Sequence, residues 1–455
     1  MNHINHKNQM NRFTLLLAGG ALTLGLMAAD ERPKRGLDLS GMDKSVSPRE
    51  DFYRYANGTW LKTTEIPASE VGWGSFNTLR DNNQKALRKL LDGAMADRKA
   101  PQGSITQRVG DFYASGLDSL AIEGRGYDPV KPYLAEIDAI KSVTDLLAYT
   151  SRRPMEGGSS LLAIGVTQDA KNPDTHTVGM RQTGTGLPEK DYYTKTDDAT
   201  VKIRQAYVDY MTKLFTLTGT PEATARQQAQ DILALEGKLA ESHLSRIEMR
   251  NPLTQYNKFA VKEFAAKVPA LDLPARLNGL GLKTDTLIVA HPKYYEKLAS
   301  LLGSESLETW KAKLRFSVLN GAASYLSSPF VQASFEYNGK TLSGQKVQQE
   351  RWKRVSSMTD GLMGDLLGQL YVKEYFTPAS KKRMDELVAN LRTVFARRID
   401  RLDWMSAETK AEAQKKLAAF TPKIGYPSKW KQYEGVTINR ADFFGNVKAL
   451  AQWRY

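Results

Sequence analysis

The sequence contains no cysteine among its 455 residues. This absence excludes disulfide bonds, cysteine-ligated zinc sites, thiol nucleophiles and an acylated cysteine anchor. Histidine is scarce as well: of five, His3 and His6 lie in the leader, which leaves His176, His243 and His291. None of these three has a second histidine within ligand spacing. From its residues alone, the chain therefore shows no metal site.

Long apolar runs are also few, and the clearest lies near the N-terminus. Lys7 and Arg12 precede an uncharged apolar run from residue 13 to residue 29. This pattern predicts that residues 1–29 are a signal peptide and that the protein is exported, to the periplasm or outside the cell. An uncleaved membrane anchor is the alternative, because bulky residues lie near the cleavage site. Residues 30–48 are polar and predict a linker.

The chain has an excess of positive charge, but the charge is not concentrated. Its net charge is +14, from 64 Lys and Arg against 50 Asp and Glu. Basic residues are spread along the chain with acids nearby, which is typical of a solvated surface. No nucleic-acid-binding motif occurs, so we expect no nucleic-acid partner.

Helical periodicity dominates after the linker. Thr377 and Pro378 predict a helix start, and apolar residues then recur every three or four positions up to Leu402. A second helix is predicted after Ser406, and residues 199–246 predict two helices joined at residues 219–221. Strand signals are confined to residues 159–166, 176–182 and 287–290. The predicted fold class is mainly α, with a large multi-helix lobe and a small β-sheet.

No catalytic constellation is visible from the residues themselves. His243 is predicted on a helix, His291 in a loop and His176 in a polar turn, each without a chemical role. There is no Gly-x-Ser-x-Gly nucleophile motif. The stretch "GTGLPEKDYY" (184–193) lacks the Gly-Lys-Ser/Thr ending of a phosphate-binding loop, so it is interpreted as a structural turn.

Several stretches nevertheless occur together in a recognisable order. They are "DFYRYANGTWLKTTEIPASEVGWGSFNTLRDNN" (51–83), "TGLPEKDYY" (185–193), "RNPLTQYNKF" (250–259), "RWKRVSSM" (351–358), "GQLYVKEYF" (368–376) and "IDRLDWMSAETKAEAQKKLAAFTPKIGYP" (399–427). In this order they resemble the N-terminal portion of the neprilysin-type zinc metallopeptidases, from about residue 43 onwards.

The resemblance implies a domain organisation. Residues 49–428 would form the mostly helical N-terminal region of the peptidase together with the beginning of the peptidase lobe. Residues 429–455 would start the connection into the catalytic domain. It also implies that Phe52, Tyr53, Tyr55 and Trp60 are core anchors where the beginning of the chain packs against the peptidase lobe. Asn57-Gly58 would supply a positive-φ turn between them.

The same resemblance implies a chemistry that the chain lacks. The family holds zinc with the two histidines of HExxH and a downstream glutamate, and its substrates are peptides. HExxH occurs nowhere in the sequence. We therefore expect a chain truncated before its catalytic segment, inactive alone, without catalytic or metal-binding residues and without bound zinc.

One substrate-binding position is carried over by the resemblance. Two arginines eight residues apart bind the C-terminal carboxylate of short substrates in well-known members. Arg80 falls on the second position, while Gly72 occupies the first. Arg80 is thus a candidate ligand of a substrate carboxylate. The alternative is a structural ion pair with Asp81 or another acid.

Three hypotheses about function remain open at this point. The first is the N-terminal part of an exported zinc metalloendopeptidase. The second is a non-catalytic module that binds peptides, or that caps a separately encoded catalytic C-terminal half. The third is a different enzyme whose site the sequence does not reveal.

Overall fold

The computed structural model describes residues 39–152 and 161–454. The predicted signal peptide, part of the predicted linker, and residues 159 and 160 of the first predicted strand lie outside the described residues. The described chain falls into two compact units that divide between Ile66 and Pro67. No described helix combines the length and apolarity needed to cross a membrane.

Helices provide most of the described structure. Their bounds are α1 Phe52–Thr63, α2 Ser75–Ala96, α3 Ile105–Leu117, α4 Ser119–Arg125, α5 Lys131–Asp138, α6 Val143–Arg152, α7 Asp191–Thr194, α8 Asp198–Thr216, α9 Glu222–Ala240, α10 Val261–Lys267, α11 Leu273–Gly279, α12 Pro292–Ser304, α13 Leu307–Ala322, α14 Ser328–Ser334, α15 Arg351–Tyr375, α16 Pro378–Arg401, α17 Ala407–Ala418 and α18 Phe443–Arg454. A π-helix, Phe335–Leu342, follows α14 directly. The mainly α prediction is confirmed.

The first unit corrects the prediction of a turn at Asn57-Gly58. Helix α1 is capped by Asp51, whose side chain accepts a hydrogen bond from the backbone N–H of Arg54, and the helix continues through Asn57 and Gly58. Gly58 is the buried residue of this helix, and a Cβ there would lie 2.6 Å from the Cβ of Asp43. The glycine therefore permits close packing within a helix, a use of glycine other than the predicted positive φ.

The aromatic residues of α1 are not all buried. Phe52 and Tyr53 are 68% and 63% exposed, whereas Tyr55 and Trp60 are partly buried. Phe52 and Tyr53 are thus surface residues of the described chain, and their packing against the peptidase lobe stays a prediction.

A charged contact fixes the start of the first unit. Asp43, in the described part of the predicted linker, pairs with Lys62 at 2.6 Å. Hydrogen bonds from Lys62 and then from Ser45 lower the pKa of Asp43 to about 2. This carboxylate therefore stays ionised in all but strong acid and joins the segment before α1 to the end of that helix.

The small sheet lies in the second unit. Its strands are β1 Ala163–Gln168, β2 His176–Arg181, β3 Lys258–Ala260 and β4 Thr286–Val289, in the order β1-β2-β4-β3. β1 and β2 are antiparallel, with Ile164 opposite Met180, whereas β2 and β4 are parallel. The three predicted strand regions are confirmed. β3 was not predicted, because three residues are too few to show an alternating pattern.

Three clusters of buried apolar side chains hold the second unit together. The first packs the sheet against α12 and includes Met180, Leu287 and Tyr295. The second lies among α8, α9, α13 and α14, and the third among α2, α3, α15 and α18. Burial of apolar side chains of this size contributes about 1.5–3 kcal/mol each. The second unit is therefore stabilised mainly by packing between helices.

The predicted helix starts near the C-terminus are confirmed. The hydroxyl of Thr377 accepts from the backbone N–H of Ser380 at 3.2 Å, and Ser406 caps α17 in the same way. The turn between α8 and α9 includes Gly219, whose φ is 93°, a conformation that favours glycine.

Candidate functional site

Arg80, the candidate carboxylate ligand, lies in the first turns of α2. Its guanidinium pairs with the carboxylate of Glu70 at 2.5 Å, and the Arg80 side chain is 50% exposed. The other oxygen of Glu70 accepts a hydrogen bond from the side chain of Gln349 at 3.1 Å. Arg80 therefore has an acidic partner and keeps an exposed face.

Asp81 is not the partner of Arg80. It accepts from Lys353 at 2.9 Å and pairs with Lys85 at 2.8 Å. Hydrogen bonds from Lys85 and Lys353 lower the pKa of Asp81. Of the acids considered as structural partners, the structure thus assigns Glu70 to Arg80 and places Asp81 between two lysines.

Gly72 lies in the loop before α2, with space around it. A Cβ there would meet no atom within 4 Å, and its φ is not positive. Its carbonyl accepts from the side chain of Asn77 at 3.2 Å. A larger side chain is therefore compatible with this loop, although the sequence does not supply the first arginine of the pair.

A cavity of about 410 Å³ lies between α13 and α18. Its wall includes a buried ion pair, in which Lys313 approaches Glu236 to 2.5 Å. Glu236 also accepts from the hydroxyl of Tyr193 at 2.7 Å, from the backbone N–H of Gly186 at 3.0 Å and from Tyr207 at 3.2 Å. A carboxylate with so many donors is not free to accept a proton from a substrate.

The tyrosines beside Glu236 are held neutral. Burial, followed by the charge of Glu236, raises the pKa of both Tyr193 and Tyr207 well above the ordinary range. Both donate to Glu236 of α9: Tyr193 fixes the 184–193 segment to that helix, and Tyr207 joins α8 to it. A Cβ on Gly186 would overlap the hydroxyl of Tyr207, at 1.9 Å. The interpretation of this segment as a structural turn is therefore supported by its contacts.

Two histidines lie on either side of the segment that follows β2. His243 Nε2 lies 3.1 Å from the carbonyl of Thr183, and His291 Nδ1 accepts from the backbone N–H of Gln182 at 3.0 Å. Both side chains are buried. Burial lowers the pKa of His243 to about 4 and also lowers the pKa of His291. These neutral rings hold the segment in place.

The predicted position is wrong for His243 and confirmed for His291. His243 follows the end of α9 at Ala240 and is not helical. His291 is buried and lies outside any helix or strand, directly before α12. His176 begins β2. Over residues 39–152 and 161–454, no group of three or more His, Asp and Glu side chains is placed to bind a metal. The residues described do not fit a catalytic zinc.

Helix α16 presents an apolar surface that the described residues leave about half exposed. Neither α16 nor α17 contains a buried residue. We call the exposed apolar residues of α16 the α16 stripe; its members are Met384, Leu387, Leu391, Val394 and Phe395. Trp404 and Phe420, next to α17, are exposed as well. Exposed apolar surface of this extent is typical of an interaction site. The spacing of these residues predicted the helix but not their exposure.

Comparison with known proteins identifies related sequences and structures. Residues 48–427 match peptidase family M13. The chain is 27% identical over 432 residues to endothelin-converting enzyme-like 1 of Mus musculus, a match that covers 90% of this chain and 55% of the relative. It is also 27% identical over 406 residues to endothelin-converting enzyme 1 of Bos taurus, covering 86% and 53%.

Solved structures give the same result. A zinc metalloprotease of Mycobacterium tuberculosis, crystallised with an inhibitor, superposes with a TM-score of 0.85 at 34% identity. That match covers 92% of this chain and 63% of the solved chain. The open state of the same protease superposes with a TM-score of 0.76. The chain spans about half the length of the curated relatives that it matches.

Proposed function

This chain belongs to peptidase family M13, and we propose that it forms the helical region of an exported zinc metalloendopeptidase that cleaves peptides. In this proposal the chain is catalytically incomplete, since HExxH is absent from its sequence. The residues that hold zinc and activate water would come from a catalytic part that these 455 residues do not include.

The observation that carries this proposal is the uncovered α16 stripe. Helix α16 has 24 residues without one buried side chain, although its apolar residues follow helical spacing. Full burial of a large apolar side chain contributes about 1.5–3 kcal/mol, and side chains left half exposed forgo roughly half of that. We propose that the catalytic part covers this stripe. The alternative, a non-catalytic module that caps a separately encoded half, uses the same surface.

The proposed role of Arg80 is to bind the C-terminal carboxylate of a peptide through its exposed face. The pairing with Glu70 reduces the charge available for that role, and Gly72 supplies no second cation. Because the surroundings of Gly72 are open, Gly72→Arg should strengthen binding of a peptide acid over its amide. An equal effect on acid and amide would argue against a carboxylate site here.

The test of the proposed function is the coding sequence that follows codon 455, together with its neighbouring genes. An HExxH motif with a downstream glutamate, in any frame, would support an interrupted or divided peptidase. If no such sequence is found there, a module without catalytic function becomes the better account. N-terminal sequencing of the mature protein tests export: loss of residues 1–29 is expected.

A further inference from the structure

A second cavity, of about 500 Å³, opens between the π-helix and the start of α15. Its wall is mixed: apolar side chains such as Phe335 and Met358 lie beside the polar side chains of Asn338, Gln345, Gln349, Ser357 and Arg354. Among the described residues that line it, none is an aspartate or glutamate. This volume falls within the range of small-ligand sites. The cavity thus has a mixed polar and apolar lining, with one cation and no acid among the residues that line it.

Arg354 is fixed at the edge of this cavity by its inner nitrogen. Its Nε donates to the carbonyl of Gln349 at 3.1 Å. Within the described part of the chain, neither terminal nitrogen has a hydrogen-bond acceptor, and no carboxylate lies within 4.0 Å. A guanidinium has its donors in a rigid fork. Fixing Nε therefore orients the remaining donors and leaves them available.

The neighbouring Arg351 resembles Arg354 except for the charges near it. Arg351 also donates through Nε to a backbone carbonyl, that of Gly116 at 2.9 Å, and burial lowers its pKa, but the charges of Glu123 and Asp118 oppose that shift. For Arg354, burial and then the positive charge of Arg351 both lower the pKa, and no acid offsets them. A half-buried charge without a partner costs free energy that an anionic ligand would recover.

We propose that the Arg354 cavity binds a carboxylate, carried by an acidic side chain of a peptide. One available cation matches the single negative charge of a carboxylate, whereas a phosphate dianion requires a second cation. The planar guanidinium matches a carboxylate in a two-bond arrangement. The amide nitrogens of Gln345 and Gln349 donate to Ser69 and Glu70, so their side-chain oxygens are what can contact the peptide main chain. The hydroxyl of Ser357 can contact it as well. The choice of a peptide rests on the proposed function.

This site is distinct from the one proposed for Arg80, although one residue joins them. The side chain of Gln349 donates to Glu70, the partner of Arg80, while its carbonyl accepts from Arg354. Arg80 already has a carboxylate beside it, and Arg354 does not. The two arginines should therefore make separable contributions to binding.

The test is calorimetric titration of the full chain with two blocked tripeptides, acetyl-Ala-Glu-Ala-amide and acetyl-Ala-Gln-Ala-amide. Only the first carries a carboxylate, and neither has a charged terminus. The glutamate peptide should bind at least about tenfold more tightly, the scale of one charge-assisted pair. Equal affinity for the two peptides, or no binding of either, would overturn the proposal. This comparison needs no variant to fold.

Variants then locate the carboxylate. Arg354→Gln should remove the preference for the glutamate peptide, and Arg354→Lys should restore only part of it, because the fork is lost. Arg226→Gln is the control, since Arg226 is exposed and pairs with Asp209 on another surface. Arg80→Gln should leave the preference unchanged. A preference that survives Arg354→Gln, or that Arg80→Gln abolishes, would refute the assignment.

Titration with glutarate distinguishes failure of the carboxylate site from failure of the proposed function. Glutarate carries the carboxylate without a peptide, so its binding, if sensitive to Arg354→Gln, supports carboxylate recognition even if the chain has no role in peptide cleavage. Binding of glutarate without binding of the glutamate peptide would overturn the peptide assignment.

Discussion

The helical hairpins α8–α9 and α16–α17 share the same local sequence features. In each, a side-chain cap begins the first helix, Asp197 in one and Thr377 in the other, and apolar residues recur at three- and four-residue spacing. Their environments differ completely. In α8–α9 each helix buries seven residues, whereas α16 and α17 bury none.

This difference separates what local sequence determines from what tertiary packing determines. Caps and apolar spacing are local properties, and they specify helices in both hairpins. Burial depends on whether another segment provides a complementary surface. For α8–α9 that surface includes α13 and α14. For α16–α17 the described residues cover the apolar side chains only in part and bury none of them, so this hairpin should contribute little to the stability of the chain alone.

The two hairpins should differ most in how much stability is lost when an ion pair is removed from each. Lys313→Met leaves Glu236 charged and buried without its cation, and should destabilise the chain by roughly 4 kcal/mol. Lys415→Met removes an exposed pair with Glu412 in α17 and should change stability by less than about 1 kcal/mol. Urea unfolding followed by circular dichroism measures both. Similar losses would show that the hairpins are equally integrated into the fold.

Matched leucine substitutions test the apolar contribution. Leu214, in α8, is fully buried, and Leu391, in α16, is 52% exposed. Leu214→Ala should cost roughly 3 kcal/mol, because it removes buried surface and leaves a cavity. Leu391→Ala should cost less than about 1 kcal/mol. A large loss from Leu391→Ala in the isolated chain would mean that the α16 stripe is covered in solution.

As the pH is lowered, protonation of His243, beside α9, should be the first cause of lost folding stability. Burial depresses the pKa of His243 to about 4 from an ordinary value of 6.5, with Lys190, His291 and Glu236 as its charged or titratable neighbours. The unfolded chain therefore binds the proton more readily, so stability is fully present above pH 6.5 and falls as the pH decreases towards 4. His243→Gln should flatten that fall in urea unfolding measured at each pH.

A matched control exists for the acid prediction. His176 is exposed at the start of β2, so His176→Gln should leave the pH dependence unchanged. If both variants behave alike, the acid sensitivity does not come from the buried ring of His243.

Removing the helix caps should give the smallest effects. Asp197→Ala and Thr377→Ala each delete one cap hydrogen bond, worth about 1 kcal/mol. Packing should confine the effect of Asp197→Ala to the first turn of α8. Without packing, Thr377→Ala should increase amide hydrogen exchange along much of α16. Effects confined to the first turn in both helices would contradict the comparison.

Sequence reasoning succeeded where the signal was local. Thr377 and Ser406 were recognisable as caps because side-chain oxygen, spacing and apolar pattern all occur within one turn. The same holds for the strands around β1, β2 and β4. The turn predicted at Asn57-Gly58 was wrong, because the need for a small residue at Gly58 comes from Asp43, fifteen positions away.

The functional surfaces depend on contacts that sequence spacing does not encode. Glu70 and Gln349, which connect Arg80 to the Arg354 cavity, lie 279 positions apart. His243 and His291 lie on either side of Gln182 only because β2, α9 and α12 converge there. In the sequence, Arg354 is one residue of the "RWKRVSSM" stretch and nothing marks it as a binding residue. Its lack of an acidic partner is a property of the folded chain.

The most direct test of the central claim is to measure zinc content and peptide cleavage for the purified chain of 455 residues. A helical region without zinc chemistry of its own predicts less than stoichiometric zinc after dialysis, and no peptide cleavage that a chelator abolishes. One tightly bound zinc per chain, with chelator-sensitive cleavage restored by adding zinc, would contradict that claim.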